Sequence, residues 1–200
     1  MNTDAARDKM TGKKHITPPL DSSILKTLRA GDEVLLSGTI YTARDAAHKR
    51  LVEELRRFKK MPVDLRGQIL YYTGPAPEKP GSVIGPAGPT TSMRMDAYTP
   101  VLLEKTGLKG MIGKGGRGKQ VIDALKKNKA VYFVAVGGAA ALLSKCIKKS
   151  EVILYHDLGT EAIRRLEVQE FPVIVMNDIY GGDLGALGIQ RYKKHTARQT

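Results

Sequence analysis

Apolar residues change their spacing several times along the chain, and each change marks an element. Over EVLLSGTIYTA (Glu33–Ala43) apolar and β-branched residues run together, which predicts a strand or hairpin broken at Gly38. From about Arg44 to Phe58 the period becomes helical, with Ala47, Leu51, Leu55 and Phe58 on one stripe. Thr42-Ala43-Arg44-Asp45 has the spacing of a capping box and places Arg44 in the first turn. GQILYYTGPAP (Gly67–Pro77) reads as a buried strand ended by Gly and Pro, and Gly81–Met95 as a loop. Beyond it the pattern predicts a short helix near Pro100–Lys105, a strand at Lys109–Ile112, a helix at Gln120–Lys127 and a strand at Ala130–Val136. GGAAALLSKCIKKS reads as a small-residue helix, and EVILYHD and FPVIVMND as two buried strands.

Strands alternate with helices, and several strands are continuous apolar runs, which predicts an α/β fold with layers packed on a central mixed sheet. No internal repeat and no linker divides the chain, so residues 17–190 read as a single layered domain. Residues 1–16 are polar and without periodicity and read as a flexible extension, and RYKKHTARQT (191–200) as a basic tail.

Composition narrows the function. No apolar run is long enough for a membrane span, and the first residues lack the apolar core of a signal peptide. The single cysteine, Cys146, excludes an internal disulfide framework and any thiolate cluster made by this chain alone, and it suits a reducing, cytoplasmic setting. With 33 Lys and Arg against 20 Asp and Glu, the chain carries a formal charge of +13, which favours anionic partners. The excess is spread over pairs such as Lys49-Arg50, Lys59-Lys60, Lys126-Lys127 and Lys148-Lys149, with no Trp and 3 Phe. That is the pattern of solvated helix faces, not of a stacking nucleic-acid surface. A basic anion- or nucleic-acid-binding module without catalysis is the alternative from a different class.

Two loops carry candidate chemistry. MIGKGGRGKQ (Met111–Gln120) matches a dinucleotide fingerprint at Gly113, Gly115 and Gly118, and most of a P-loop at Gly113, Gly118 and Lys119. The first reading lacks the acid expected at the end of the next strand, which closes in Gly137-Gly138-Ala139. The second has Gln120 where a metal-binding hydroxyl is needed, although Asp157 could end an apolar strand. What remains is a Gly-rich turn in which Lys114 can serve as a point charge for a carboxylate or phosphate. In GPAGPTTSMRMDAYTP (Gly85–Pro100), Thr90, Thr91 and Ser92 offer hydroxyls and Arg94 a guanidinium just before a helix. This is either a carboxylate cradle or a hydroxyl-rich helix entry with a surface arginine.

SGTIYTARDAAHKRL (Ser37–Leu51), GPTTSMRMD (Gly88–Asp96) and GMIGKGG (Gly110–Gly116), in this order, resemble the iron–sulfur hydro-lyases, the class I fumarases and L-tartrate dehydratases. YHDLGTEAIRRLEV and PVIVMNDIYGGDL extend the resemblance, which runs from about Ile16 to Leu187. It corresponds to the C-terminal domain of one-chain class I fumarases or the separate beta subunit of two-chain ones. The resemblance implies a swivelling β/β/α domain and a [4Fe-4S] cluster held by a cysteine-bearing alpha subunit, with no metal bound by this chain. It implies reversible hydration of fumarate to L-malate, active only with that partner, or the L-tartrate dehydratase reaction as the alternative. It also implies a hetero-oligomer of dimerised alpha–beta pairs and no part for nucleic acid or membrane. By position it gives substrate-carboxylate binding to Arg44, Thr91, Arg94 and Lys114, and proton transfer to Thr90. His48 either supports this site or is a helix-face neighbour of Arg44.

Overall fold

The computed structural model describes residues 12–58 and 61–196. Residues 1–11 of the expected extension, the Lys59-Lys60 pair and the last four residues of the basic tail lie outside the described residues.

Among the described residues seven strands form one mixed sheet: β1 (Lys14–Ile16), β2 (Glu33–Thr42), β3 (Ile69–Tyr71), β4 (Gly110–Gly113), β5 (Val131–Val134), β6 (Ile147–Leu154) and β7 (Ile163–Asn177). Their order is β1-β2-β3-β4-β5-β7-β6, with β1 to β5 mutually parallel and β7 antiparallel to its neighbours. Because β7 pairs with β2 as well as β5, the strands β2, β3, β4, β5 and β7 close into a ring. The α/β class with a central mixed sheet is as the sequence predicts.

Alternation along the strands sorts the core into two parts. Ile69, Tyr71, Ile112, Val131 and Phe133 join Val34, Leu36 and Ile40 of β2 and Phe171, Val173 and Val175 of β7. Leu70, Tyr72, Met111 and Tyr132 face the other way, onto α2 (Asp45–Phe58), α3 (Thr99–Thr106) and α4 (Lys119–Asn128). Strands β3 and β4 are buried on both faces, which is why they read as unbroken apolar runs. The remaining helices are α1 (Ser22–Thr27), capped by the Asp21 carboxylate on the Ile24 amide (2.9 Å), α5 (Ala140–Lys145) and α6 (Leu184–Thr196). No described helix is long and apolar enough to cross a membrane.

Several local expectations change. Gly38 does not break β2: at φ +125° it carries a bulge in the pairing with β7, and the strand continues to Thr42. The capping box does not form, because Thr42 is the last strand residue. Its hydroxyl donates to the Ala162 carbonyl and accepts from the Arg164 amide (3.2 and 2.9 Å). The first turn of α2 is instead closed from a distance, by Glu161 accepting from the Ala46 amide (2.7 Å). On α2 the buried stripe is Ala47, His48, Leu51 and Val52, while Phe58 is exposed at its end. The small-residue helix stops at Lys145, since Cys146 caps it and Ile147 already packs under β7. The KKS that follows belongs to β6, a sheet edge whose lysines face solvent. β7 begins eight residues before the expected strand, at Ile163, with Leu166 and Val168 inward. Residues 14–16, placed by the sequence in the extension, are the edge strand β1. The first residues of the basic tail continue α6.

Candidate functional site

The parallel strands β2, β3, β4 and β5 all end on one side of the sheet, and the five candidate residues follow those ends. The carboxyl ends of parallel strands are where α/β folds, open or closed, bind ligands. Arg44 follows β2, and a Cβ at Gly74, just beyond β3, would lie 2.8 Å from its Nη1, so the guanidinium lies across the end of β3. Lys114 follows β4, and its Cδ lies 3.9 Å from where a Gly137 Cβ would stand, beyond β5.

The loop of Thr90 and Thr91 is laced to this edge by backbone. The Thr90 amide donates to the Tyr72 carbonyl (2.7 Å), and the Lys114 amide to the Thr90 carbonyl (3.1 Å). The Ser92 amide donates to the Lys114 carbonyl (3.0 Å), so Thr91 and Lys114 form an isolated parallel bridge. A 3-10 turn, Ser92–Met95, then carries Arg94 outward. Main chain thus brings Thr90, Thr91 and Lys114 together without fixing their side chains. Among the described residues, the Thr90 and Thr91 hydroxyls and the Lys114 ammonium have no protein partner.

The two arginines are joined through Asp45, a residue the sequence offered only as the acid of a capping box and whose part at the site its reading passed over. Asp45 accepts from Arg94 Nε on one oxygen (2.8 Å) and from Arg44 Nε on the other (3.2 Å). Arg44 Nε also lies 3.5 Å from Glu161. Burial pushes the Asp45 carboxyl up, but hydrogen bonds from its own amide and from Arg44, with the charge of Arg94, hold it below the usual carboxylate range. Among the described residues, the Nη atoms of both guanidiniums have no protein partner. The acids Asp45 and Glu161 offset the charges of Arg44 and Arg94.

His48 lies behind the site and does not line it. Its ring is buried, edge-on to Tyr72 at 5.1 Å, and its Nδ1–H donates to the Arg44 carbonyl (3.0 Å). Burial, and then the charge of Arg117, outweigh that bond and Asp45, lowering its pKa to about 4. The unfolded chain therefore takes up this proton near pH 6.5 and the folded chain only near 4. Stability is full above about 6.5 and is lost as pH falls toward 4, by roughly 3 kcal/mol from this group. Urea unfolding at pH 7 and pH 4.5 should show most of that loss in the native chain and a markedly smaller one in His48→Gln.

The nucleotide readings of MIGKGGRGKQ are settled by what occupies the helix start. A strand, a Gly-rich loop and α4 do follow one another, but the Gly118 amide at the N-terminus of α4 is taken by the Asp96 carboxylate (2.7 Å). Asp157, the metal-holding acid of the P-loop reading, is gripped by Arg50 at 2.8 and 2.7 Å, in a turn packed on α2. Lys119 opens α4 and pairs with Asp123 across one turn (2.7 Å). Arg117, which the sequence reading also passed over, is the buried member of the loop. Its side chain donates to Asp96 (2.8 Å), Thr99 Oγ1 (2.7 Å) and the Tyr72 hydroxyl (3.3 Å). Cys146 is partly buried at the end of α5, and no group of three or more possible metal ligands comes together among the described residues.

Residues 4–186 match the family described as Fumarase C-terminus. The chain is 41% identical over 149 residues to the aerobic class I fumarate hydratase of Salmonella typhimurium, covering 74% of this chain and 26% of that protein. It is 37% identical over 155 residues to fumarate hydratase 2 of Leishmania major, covering 77% and 27%. It is 36% identical over 176 residues to the L(+)-tartrate dehydratase subunit beta of Escherichia coli, covering 86% of each chain. The chain thus spans about a third or less of the fumarate hydratases it matches, and most of the length of the tartrate dehydratase subunit.

Proposed function

The chain belongs to the Fumarase C-terminus family, and we propose that it is the beta subunit of a two-subunit hydro-lyase that hydrates fumarate reversibly to L-malate. The observation that carries this reading is one sheet edge holding Arg44 and Arg94 on a shared carboxylate, beside Lys114 and two threonine hydroxyls without protein partners. A dicarboxylate brings two negative charges, and the forks of two arginines suit its carboxylates at both oxygens. Arg44, Thr91, Arg94 and Lys114 bind and orient the substrate. Charge that builds on the carboxylate beside the carbon losing its proton is stabilised by these fixed cations. In this reading Thr90, half-buried and with its carbonyl accepting the Lys114 amide, holds or passes that proton.

The [4Fe-4S] cluster of the family finds no ligand set here, since Cys146 stands apart from any group of further ligands among the described residues. In this reading the cysteine-bearing alpha subunit holds it, and this chain is active only with that partner, as dimerised alpha–beta pairs in the cytoplasm. The strand ring with α2, α3 and α4 on one face fits the swivelling β/β/α domain of the family. The match over nearly the full length of a tartrate dehydratase beta subunit supports the two-chain arrangement, and it favours L-tartrate as the second reading of the substrate. Anaerobic assay of the complex reconstituted with its alpha subunit should show turnover of malate and fumarate. Efficient turnover of L-tartrate with none of malate would transfer the assignment to the second reading.

A further inference from the structure

The loop that carries Lys114 has little packing of its own. Nothing lies within 4 Å of where a Cβ would stand at Gly115 or Gly116, and Gly115 has φ +78°. Such a stretch is held only where other groups hold it. Two buried side chains do so from beneath. Tyr132, on β5 and fully buried, places its hydroxyl 2.8 Å from the Gly115 carbonyl and 2.8 Å from Ser92 Oγ. A phenol has one proton and the carbonyl can only accept, so Tyr132 donates to Gly115 and the Ser92 hydroxyl donates back. Arg117 closes the other end of the loop on Asp96, whose second oxygen holds the Gly118 amide. Both tethers cross between the same two segments, 92–99 and 113–118. The first begins beside Thr90 and Thr91 and carries Arg94; the second begins beside Lys114.

We propose that Tyr132 and Arg117 are positioning residues that hold the Lys114 loop in register with the Thr90–Arg94 segment, so that both grip one dicarboxylate. The inference rests on the functional reading above. Neither side chain reaches the open edge, where Lys114 is exposed; they act through the loops they fasten. Burial pushes the Tyr132 phenol up to about 12, so it remains a donor over the whole working range. Burial works against the charge of Arg117, but Tyr72 and Asp96 more than offset it.

The test uses Tyr132→Phe, which keeps the packed ring and removes only the hydroxyl, and Arg117→Lys, which keeps the charge and loses the fork. In the reconstituted complex, Tyr132→Phe should raise KM for the dicarboxylate about tenfold, with kcat within about threefold and Tm nearly unchanged. Arg117→Lys should move KM further in the same direction. In the full chain without its partner, deuterium exchange over 90–96 and 113–118 should rise in both variants and stay level in β7. Folded variants with native KM overturn the proposal, as does a lowered Tm with native KM, which marks a purely structural role. If the native complex turns over no dicarboxylate, the functional reading fails by itself. Exchange then decides on the tethers: a rise confined to the two loops supports them, and an unchanged pattern overturns them.

Discussion

Lys114→Ala should lower kcat/KM of the reconstituted complex by roughly 10²- to 10³-fold while leaving the chain as stable as before, within about 0.5 kcal/mol. The asymmetry follows from how the site's cations are balanced. Arg44 and Arg94 share Asp45, and Arg44 also faces Glu161, so each is partly neutralised by the protein itself. Lys114 has no such partner among the described residues, and its ammonium is exposed. In the proposed reaction it therefore adds the uncompensated charge that an incoming dianion meets, and removing it breaks no contact on which folding depends. Its main chain remains bridged to Thr90 and Ser92 whatever the side chain is. Arg94→Ala should cost less, about tenfold to a hundredfold, because Asp45 then keeps Arg44 alone. Steady-state kinetics of the complex and thermal unfolding of the chain measure the two sides. Near-native turnover in Lys114→Ala would remove the residue from the site.

The place of Lys114 was legible in the sequence, because a short apolar strand runs straight into its glycines and leaves it exposed at the end of β4. The residues around it were not, and the reason is distance along the chain. Arg117 sits in the same loop and reads as one more solvated charge. Its burial depends on Asp96, Thr99 and Tyr72 arriving beneath it from 21, 18 and 45 residues away. Asp45 was visible only as a candidate helix-start acid, because nothing local shows that Arg94, 49 residues on, meets its other oxygen. Glu161 reaches the start of α2 across 115 residues, while Thr42, the local candidate for that cap, is consumed by β7. The fold divides similarly. Elements buried on both faces, β3 and β4, announced themselves by composition. Strands with one solvent face and many charges did not, as over Ile163–Glu170, where arginines and glutamates alternate with Leu166 and Val168. Propensity also failed at Lys148-Lys149-Ser150, where pairing with β7 overrides a helical start.

Gly113→Ala should cost about 2–3 kcal/mol of stability, and should reduce activity even where the chain is folded. Gly113 is the last residue of β4, buried under the crossing of the two site loops. A Cβ there would run into Ser92 Oγ, and would stand 3.0 Å from Tyr72 Cδ2 and 3.2 Å from the Thr90 carbonyl. None of these neighbours can retreat freely. Tyr72 is fully buried between His48 and Arg117, the Thr90 carbonyl accepts the Lys114 amide, and Ser92 is bonded to Tyr132. The displacement must therefore fall on the Thr90–Ser92 segment, carrying Thr90 and Thr91 away from Lys114. Ser92→Gly removes the worst of the overlap but leaves the Tyr72 and Thr90 contacts. Gly113→Ala/Ser92→Gly should accordingly recover part of the stability, with a coupling of about 1 kcal/mol or more between the two positions. Urea unfolding of the four chains of this cycle measures that coupling. Strict additivity would mean that the loops are not in the contact described, and that the crossing above β4 does not set the spacing of Thr90 and Lys114.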